Sequence, residues 1–202
     1  MYLAALRDEC GRHHVAVQTP DAADFGVPQT RRRLFVICDW QRPPPELAGR
    51  PGLSRPDAAS ILDAAGTWSV RPLFAPRRAA PTLERARRGI DALCEGVPFL
   101  IVDYGSDGAG GWQRLDRSLR TLTTLDRFGL VEWPGREPTL RMLQVPELRR
   151  AMGFPEGFRL ARGTRRERIK LLGNAVCPPV MRAIVTGLVN EETTTTPVVA
   201  AA

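Results

Sequence analysis

Apolar residues first recur at helical spacing. Leu3, Leu6 and Cys10 share one face of YLAALRDEC, and Gly11 closes the predicted helix over residues 2–10. The period then changes. HHVAVQT alternates as a strand does, Asp21 to Gln29 predicts a loop, and the apolar run RLFVIC predicts a second strand buried on both faces. From Asp39 to about Arg55, proline and glycine (WQRPPPELAGRPGLSRP) predict a linker. Ser60 to Ala65 predicts a short helix following Asp57, and Thr82 to Cys94 a longer one with Leu83, Ala86, Ile90 and Leu93 on one stripe. PFLIVDYG is strand-like and the glycine-rich GSDGAGG after it a flexible loop. LRTLTTLDRFGLVEW suits two strands turned at Asp126-Arg127. VPELRRAMG predicts a helix stopped by Gly153, and CPPVMRAIVTGLV a helix opened by prolines with a Val180, Ile184, Leu188 stripe. ETTTTPVVAAA has no anchoring period and predicts a disordered tail, and no internal repeat is present.

Charge narrows the partners. The 202 residues carry 29 Lys+Arg against 22 Asp+Glu, a formal charge of +7 and a pI near 10.2, which favours a polyanion, nucleic acid before an anionic membrane. Every basic residue but Lys170 is arginine, whose planar fork suits phosphate and base edges, although a GC-rich genome gives the same bias. Cys10, Cys38, Cys94 and Cys177 form no CxxC pair and the only histidines, His13 and His14, are adjacent, so no metal site is expected. Arg7, Asp8 and Glu9 interrupt any leader-like apolar stretch, and no apolar run approaches membrane-spanning length. The expectation is a soluble protein of a reducing compartment with free thiols, cytoplasmic and nucleoid-associated.

Three consecutive arginines precede the second strand. Strand alternation would turn Arg31 and Arg33 to one side, able to grip one anion or base edge, and Arg32 to the other. An isolated RRR is more often a solvated rim. Its context is more specific. GVPQTRRRLFVI, with Gln29, Arg31 and Arg33 in a Q-x-R-x-R arrangement, resembles motif VIII of the DNA cytosine-5 methyltransferases. RMLQVPELRRAMGFP, with Arg141, Leu143, Glu147, Arg150, Gly153, Phe154 and Pro155, resembles motif IX, with Gln144 in place of the usual threonine. LLGNAVCPPV, with Gly173 to Val176, resembles motif X, and the three follow the family's order.

The resemblance implies the C-terminal part of a Rossmann-like, S-adenosylmethionine-dependent α/β methyltransferase domain with a small mixed target-recognition region. The expected division is 1–40 for the last helix and strands of the catalytic domain, 41–140 for linker and recognition region, 141–190 for motifs IX and X, and 191–202 for the tail. The family's glycine-rich cofactor motif, its Pro-Cys nucleophile and its Glu-Asn-Val are not found in these residues. Cys177 lies before a proline where the family's nucleophile follows one, Cys38 sits in an apolar run, and Cys10 and Cys94 end helix faces, so all four are expected to be structural. The family flips a cytosine out of the duplex, attacks C6 with a thiolate and methylates C5 from S-adenosylmethionine. By carry-over Arg31 and Arg33 line the base pocket, and Arg33 is the stronger contact to the base carbonyl or its phosphate. Asn174, Ala175 and Val176 border the methionine end of the cofactor. Gln29, which shapes the turn, is placed with Thr121, Thr123, Thr124 and Arg127 at the DNA, the threonines and Arg127 as major-groove readers; strand propensity alone also explains the threonines. Glu147 and Arg150 are expected to form an i,i+3 pair. The function implied is a fragment or subunit of a restriction-modification-type DNA cytosine-5 methyltransferase, inactive alone, with double-stranded DNA and a complementary N-terminal half as partners. The alternative is a non-catalytic DNA-binding or regulatory remnant.

Overall fold

A computed structural model describes residues 14–49, 52, 54–103 and 110–190. The predicted opening helix with Cys10, most of the GSDGAGG loop and the predicted tail lie outside the described residues. His14–Gln18 (β1) and Phe35–Asp39 (β2) form an antiparallel pair with Val17 opposite Val36. The loop between them is a built object. The Asp21 carboxylate accepts from the backbone N–H of Ala23 at 3.2 Å and of Arg31 at 2.8 Å, starting the 3-10 turn Ala22–Phe25, which ends at Gly26 in a left-handed conformation.

Five further strands form one sheet: Arg71–Pro72 (β3), Phe99–Val102 (β4), Trp112–Arg114 (β5), Phe128–Glu132 (β6) and Thr139–Met142 (β7). Their order is β3-β7-β6-β4-β5 and every pairing is antiparallel. β4 is apolar throughout because both its faces are covered. Leu100 and Val102 join Phe128 and Leu130 in the main core, while Phe99 and Ile101 join Val131 and Leu140 beneath the helix Ala80–Leu93 (α1). That helix comes close because residue 89 is glycine; a Cβ there would lie 2.3 Å from the Phe99 ring.

Three helices follow: Val145–Ala151 (α2), Arg165–Asn174 (α3) and Pro178–Asn190 (α4). The α3 N-terminus is fixed by a reciprocal box, in which the Glu167 carboxylate accepts from the Thr164 N–H at 2.7 Å and Thr164 Oγ1 accepts from the Glu167 N–H at 3.3 Å. Residues 165–189 contain an 18-residue stretch of mean hydropathy 1.3, long and apolar enough to cross a membrane by composition. They are instead two helices broken at extended Ala175, and Ile169, Leu172, Val180 and Ile184 are buried in the main core. The proline-rich segment after β2 is strapped down. Gln18 Nε2 donates to the Pro45 carbonyl and its Oε1 accepts from Leu47 N–H, and Pro45 rests on Gly187 of α4.

Several sequence expectations are corrected here. β2 is not buried on both faces: Ile37 is in the core but Val36 and Cys38 are exposed, because within these residues only one face of the two-stranded pair is covered. Cys94 is exposed as well, since the chain turns into the left-handed region at that residue (φ 72°) and carries its side chain off the α1 stripe. Residues 119–133 do not form a hairpin turned at Asp126-Arg127. Only β6 is a strand there, its hairpin partner is β7, and residues 119–127 run beside the motif VIII turn, Leu119 bridging Gln29 in parallel.

Candidate functional site

The centre of the site is an arginine that cannot move. Arg31 is 4% exposed, and its guanidinium donates to the carbonyls of Leu122 at 2.8 Å, Gly173 at 2.6 Å and Ala175 at 3.3 Å. One side chain thus ties the turn after β1 to the 119–127 segment and to the α3–α4 junction. The backbones also touch, because Gly173 packs on the Thr123–Thr124 peptide; a Cβ there would lie 2.3 Å from the Thr123 oxygen. Gln29 completes the joint. It is 0% exposed, its Nε2 donates to the Ala151 carbonyl at 3.0 Å and its Oε1 accepts from the Leu122 N–H at 2.9 Å.

Around Arg31 lies a cavity of about 150 Å³. Arg33, Phe35, Asn174, Val176 and Cys177 are among its walls, whereas Arg32 is not. Residues more than 140 positions apart therefore share one space. Arg33 and Asn174 are exposed at the cavity, Arg33 donating to the Arg32 carbonyl at 2.8 Å. Burial pushes the Arg31 pKa down, and Arg33 adds to that. It remains a cation, with a buried Nε that has no hydrogen-bond partner. Burial pushes the Cys177 thiol up to about 11 against the opposing pull of both arginines. At neutral pH Cys177 is therefore a neutral thiol in a positively charged cavity, which is unsuited to nucleophilic attack.

The expected arrangement of the arginines is altered in its cause. Arg31 to Arg33 precede β2 rather than lie within it, and Arg31 is committed to carbonyls instead of being free to grip an anion. Gln29, expected at the DNA, is wholly enclosed, and its amide joins the turn to Ala151 and Leu122. Thr121 Oγ1 donates to the Thr30 carbonyl at 2.8 Å, and Thr123 and Thr124 line the joint to α3. Arg127 donates to the Asp103 carbonyl at 2.6 Å, with the Asp103 carboxylate 3.6 Å away.

Glu147 does not pair with Arg150. It is 0% exposed and receives a two-point grip from Arg141 at 2.8 and 2.7 Å, together with the N–H groups of Gln144 and Asp63. Arg150 turns to the Ile61 carbonyl and the Asp63 carboxylate. The reason is capping: at the third position of α2, Glu147 points back to the helix start, where Arg141 at the end of β7 arrives. Gln144, the departure within motif IX, accepts from Arg165, which also pairs with Asp126 and donates to the Leu143 carbonyl. No sequence period announces Arg165 as this bridge. The Thr164-to-Glu167 spacing does mark where its helix begins.

Residues 102–190 match the family described as C-5 cytosine-specific DNA methylase. The Type II methyltransferase M.NlaX of Neisseria lactamica is 25% identical, the match covering 85% of this chain and 51% of that protein. The Type II methyltransferase M.AplI of Arthrospira platensis is 28% identical over 91% of this chain and 50% of its own length. The chain thus spans about half the length of the curated relatives it matches. Among solved structures, the Entamoeba histolytica methyltransferase EhMeth superposes with a TM-score of 0.60 and S. pombe Dnmt2 methyltransferase with 0.56, each at 13% identity. They cover 95% and 96% of this chain and 59% and 60% of theirs, and they show a shared fold. The three ordered motifs, the family match over residues 102–190 and the shared fold make this chain similar to the DNA cytosine-5 methyltransferases.

Proposed function

We propose that the chain forms one part of a DNA cytosine-5 methyltransferase, supplying the target-recognition region, one wall of the flipped-base pocket and the border of the cofactor site. One observation carries the reading: Arg33 and the Asn174–Val176 segment meet at one cavity, and the bonds of Arg31 to the Gly173 and Ala175 carbonyls hold them there. Gly173, on the Thr123–Thr124 peptide, fixes the recognition segment to the same joint. A base leaving the duplex exposes an unstacked ring and a rotated phosphate, and Arg33 at the cavity is available to either.

S-adenosylmethionine fits this cavity in part. A volume of about 150 Å³ takes one end of such a molecule, and Asn174, the Ala175 and Val176 backbone and the unpartnered Arg31 Nε offer polar groups beside the apolar Phe35 and Val176. Asn174, Ala175 and Val176 would hold its methionine end. The cofactor supplies the methyl group, while the residues of this chain position it and the base.

The nucleophile and the acid come from outside these residues, which contain neither Pro-Cys nor Glu-Asn-Val. The rest of the enzyme would seat on the apolar surfaces left open among the described residues, the Val17–Val36 face of the strand pair and the Met181, Val185, Val189 stripe of α4, each 39% exposed or more. The chain's coverage of only half of its relatives' length supports that occupant. The test is transfer of labelled methyl groups from S-adenosylmethionine to duplex DNA. The chain alone should transfer none, and a complementary segment carrying the Pro-Cys and Glu-Asn-Val motifs should restore transfer. Transfer by the chain alone overturns the reading, and failure of every complement favours the non-catalytic remnant.

A further inference from the structure

Beyond the base and cofactor cavity, the recognition sheet carries a second concentration of arginine. A cavity of about 360 Å³ opens over β3 and β7, and four guanidinium groups line it: Arg71, Arg78, Arg141 and Arg165. No carboxylate is among its lining residues. Two of the four charges are answered from behind: Arg141 by Glu147 and, at 3.7 Å, Glu132, and Arg165 by Asp126. Arg71 and Arg78 have no acidic partner within 4 Å among the described residues. Arg71 is exposed beside exposed Ser69. Arg78 is folded back over β3 by its bond to the Pro72 carbonyl at 2.7 Å, which leaves its buried Nε without a partner. The turn that delivers it is strained, because Arg77 is a non-glycine residue at φ 67°.

Position makes this more than a charged rim. Arg165 also lines a neighbouring cavity with Thr124, Arg127 and Arg166, so the two cavities meet at that side chain. Arg165 opens α3 and Asn174 closes it at the base cavity, a separation of about 15 Å for ten residues at 1.5 Å each.

We infer that the Arg71–Arg78 cleft binds backbone phosphate of the DNA whose nucleotide is taken into the base cavity. Two uncompensated guanidiniums around an open cleft suit a phosphodiester, which carries one charge and several acceptors. Because the contact is to the backbone, it strengthens binding without choosing sequence. The inference rests on the DNA-methyltransferase reading, but it is tested by binding and not by methyl transfer.

The experiment is fluorescence anisotropy of a labelled 20-base-pair duplex titrated with the chain at several KCl concentrations. It compares the wild type, Arg71→Gln, the Arg71→Gln/Arg78→Gln pair, and Arg87→Gln/Arg136→Gln, whose arginines share their cavity with Asp91, Glu95 and Glu137. The cleft pair should flatten the dependence of log affinity on log salt by about 0.9, the effect of one phosphate no longer neutralised, on any duplex sequence. Exposed Arg71→Gln alone should remove about half of that and guards against a folding defect in the double variant. The Arg87/Arg136 pair should leave the slope unchanged. Equal slopes for wild type and cleft variants overturn the cleft and leave the methyltransferase reading standing. Absence of any DNA binding by the wild type overturns both. Titration with inorganic phosphate is the remaining arm: protection of wild type but not variant against thermal unfolding, with equal DNA slopes, would make the cleft a free-phosphate site and overturn its role on DNA.

Discussion

Arg141 and Glu147 show what a single buried pair does in this fold. Both are nearly solvent-free, and each satisfies the other through a two-point bond. Glu147→Gln leaves the Arg141 charge in the interior with one formal partner removed, a loss of the kind that costs about 3–5 kcal/mol. Urea unfolding should record it as a lower midpoint at unchanged slope. Cys177 gives a prediction of opposite character. Its thiol ionises near 9.0 when exposed and near 11 in the fold because of burial. Above pH 9 the unfolded chain releases a proton that the folded chain retains, so the unfolded state binds fewer protons and stability falls as pH rises. The Cys177 contribution is complete below about pH 9 and lost between 9 and 11, and Cys177→Ala should remove that part of the pH dependence. In the native chain at pH 8, iodoacetamide should label exposed Cys38 and Cys94 and spare Cys177.

At the scale of elements, the site depends on how closely α3 approaches the 119–127 segment. Glycine at 173 allows the helix to rest on a peptide bond, and any Cβ must displace one of the two. Gly173→Ala should cost about 1–3 kcal/mol as overpacking. For a chain of this size that lowers the melting temperature by about 2–12 °C. The same change should weaken the Arg31 bonds to the Gly173 and Ala175 carbonyls, so methyl transfer by the completed enzyme should fall further than stability alone explains. Arg33→Ala should cut that transfer far more than Arg32→Ala, since only Arg33 lines the cavity. Equal losses would remove the assignment. Elements of strong local pattern were legible: α1 from its Leu83, Ala86, Ile90, Leu93 stripe, β4 from its unbroken apolar run, α4 from its paired prolines. The short strands β3, β5 and β7 were not, because two to four residues carry no period and owe their conformation to the strands beside them.

The whole molecule presents two apolar surfaces with nothing over them among the described residues, and it matches half of the length of its curated relatives. Val185→Glu on the open α4 stripe should leave the melting temperature of the isolated chain within a degree or two and abolish restoration of methyl transfer by a complementary segment. Loss of stability with complementation intact would show that the stripe serves this chain and not a partner.

By itself the sequence determined the family resemblance, the order of its motifs and most of the longer elements, because periodicity, capping residues and motif spacing are local properties of the chain. It placed Arg31, Arg33 and Asn174 to Val176 in two separate motifs. Only the tertiary structure decided that they border one cavity, that Arg31 is a strut and not a free cation, that Gln29 is enclosed, and that Glu147 takes Arg141 for its partner. For Arg31 and Gln29 the physical reason is the same. A buried polar group must find its hydrogen bonds wherever folding brings a partner, and a partner 90 or 140 residues away leaves no period or spacing in the sequence.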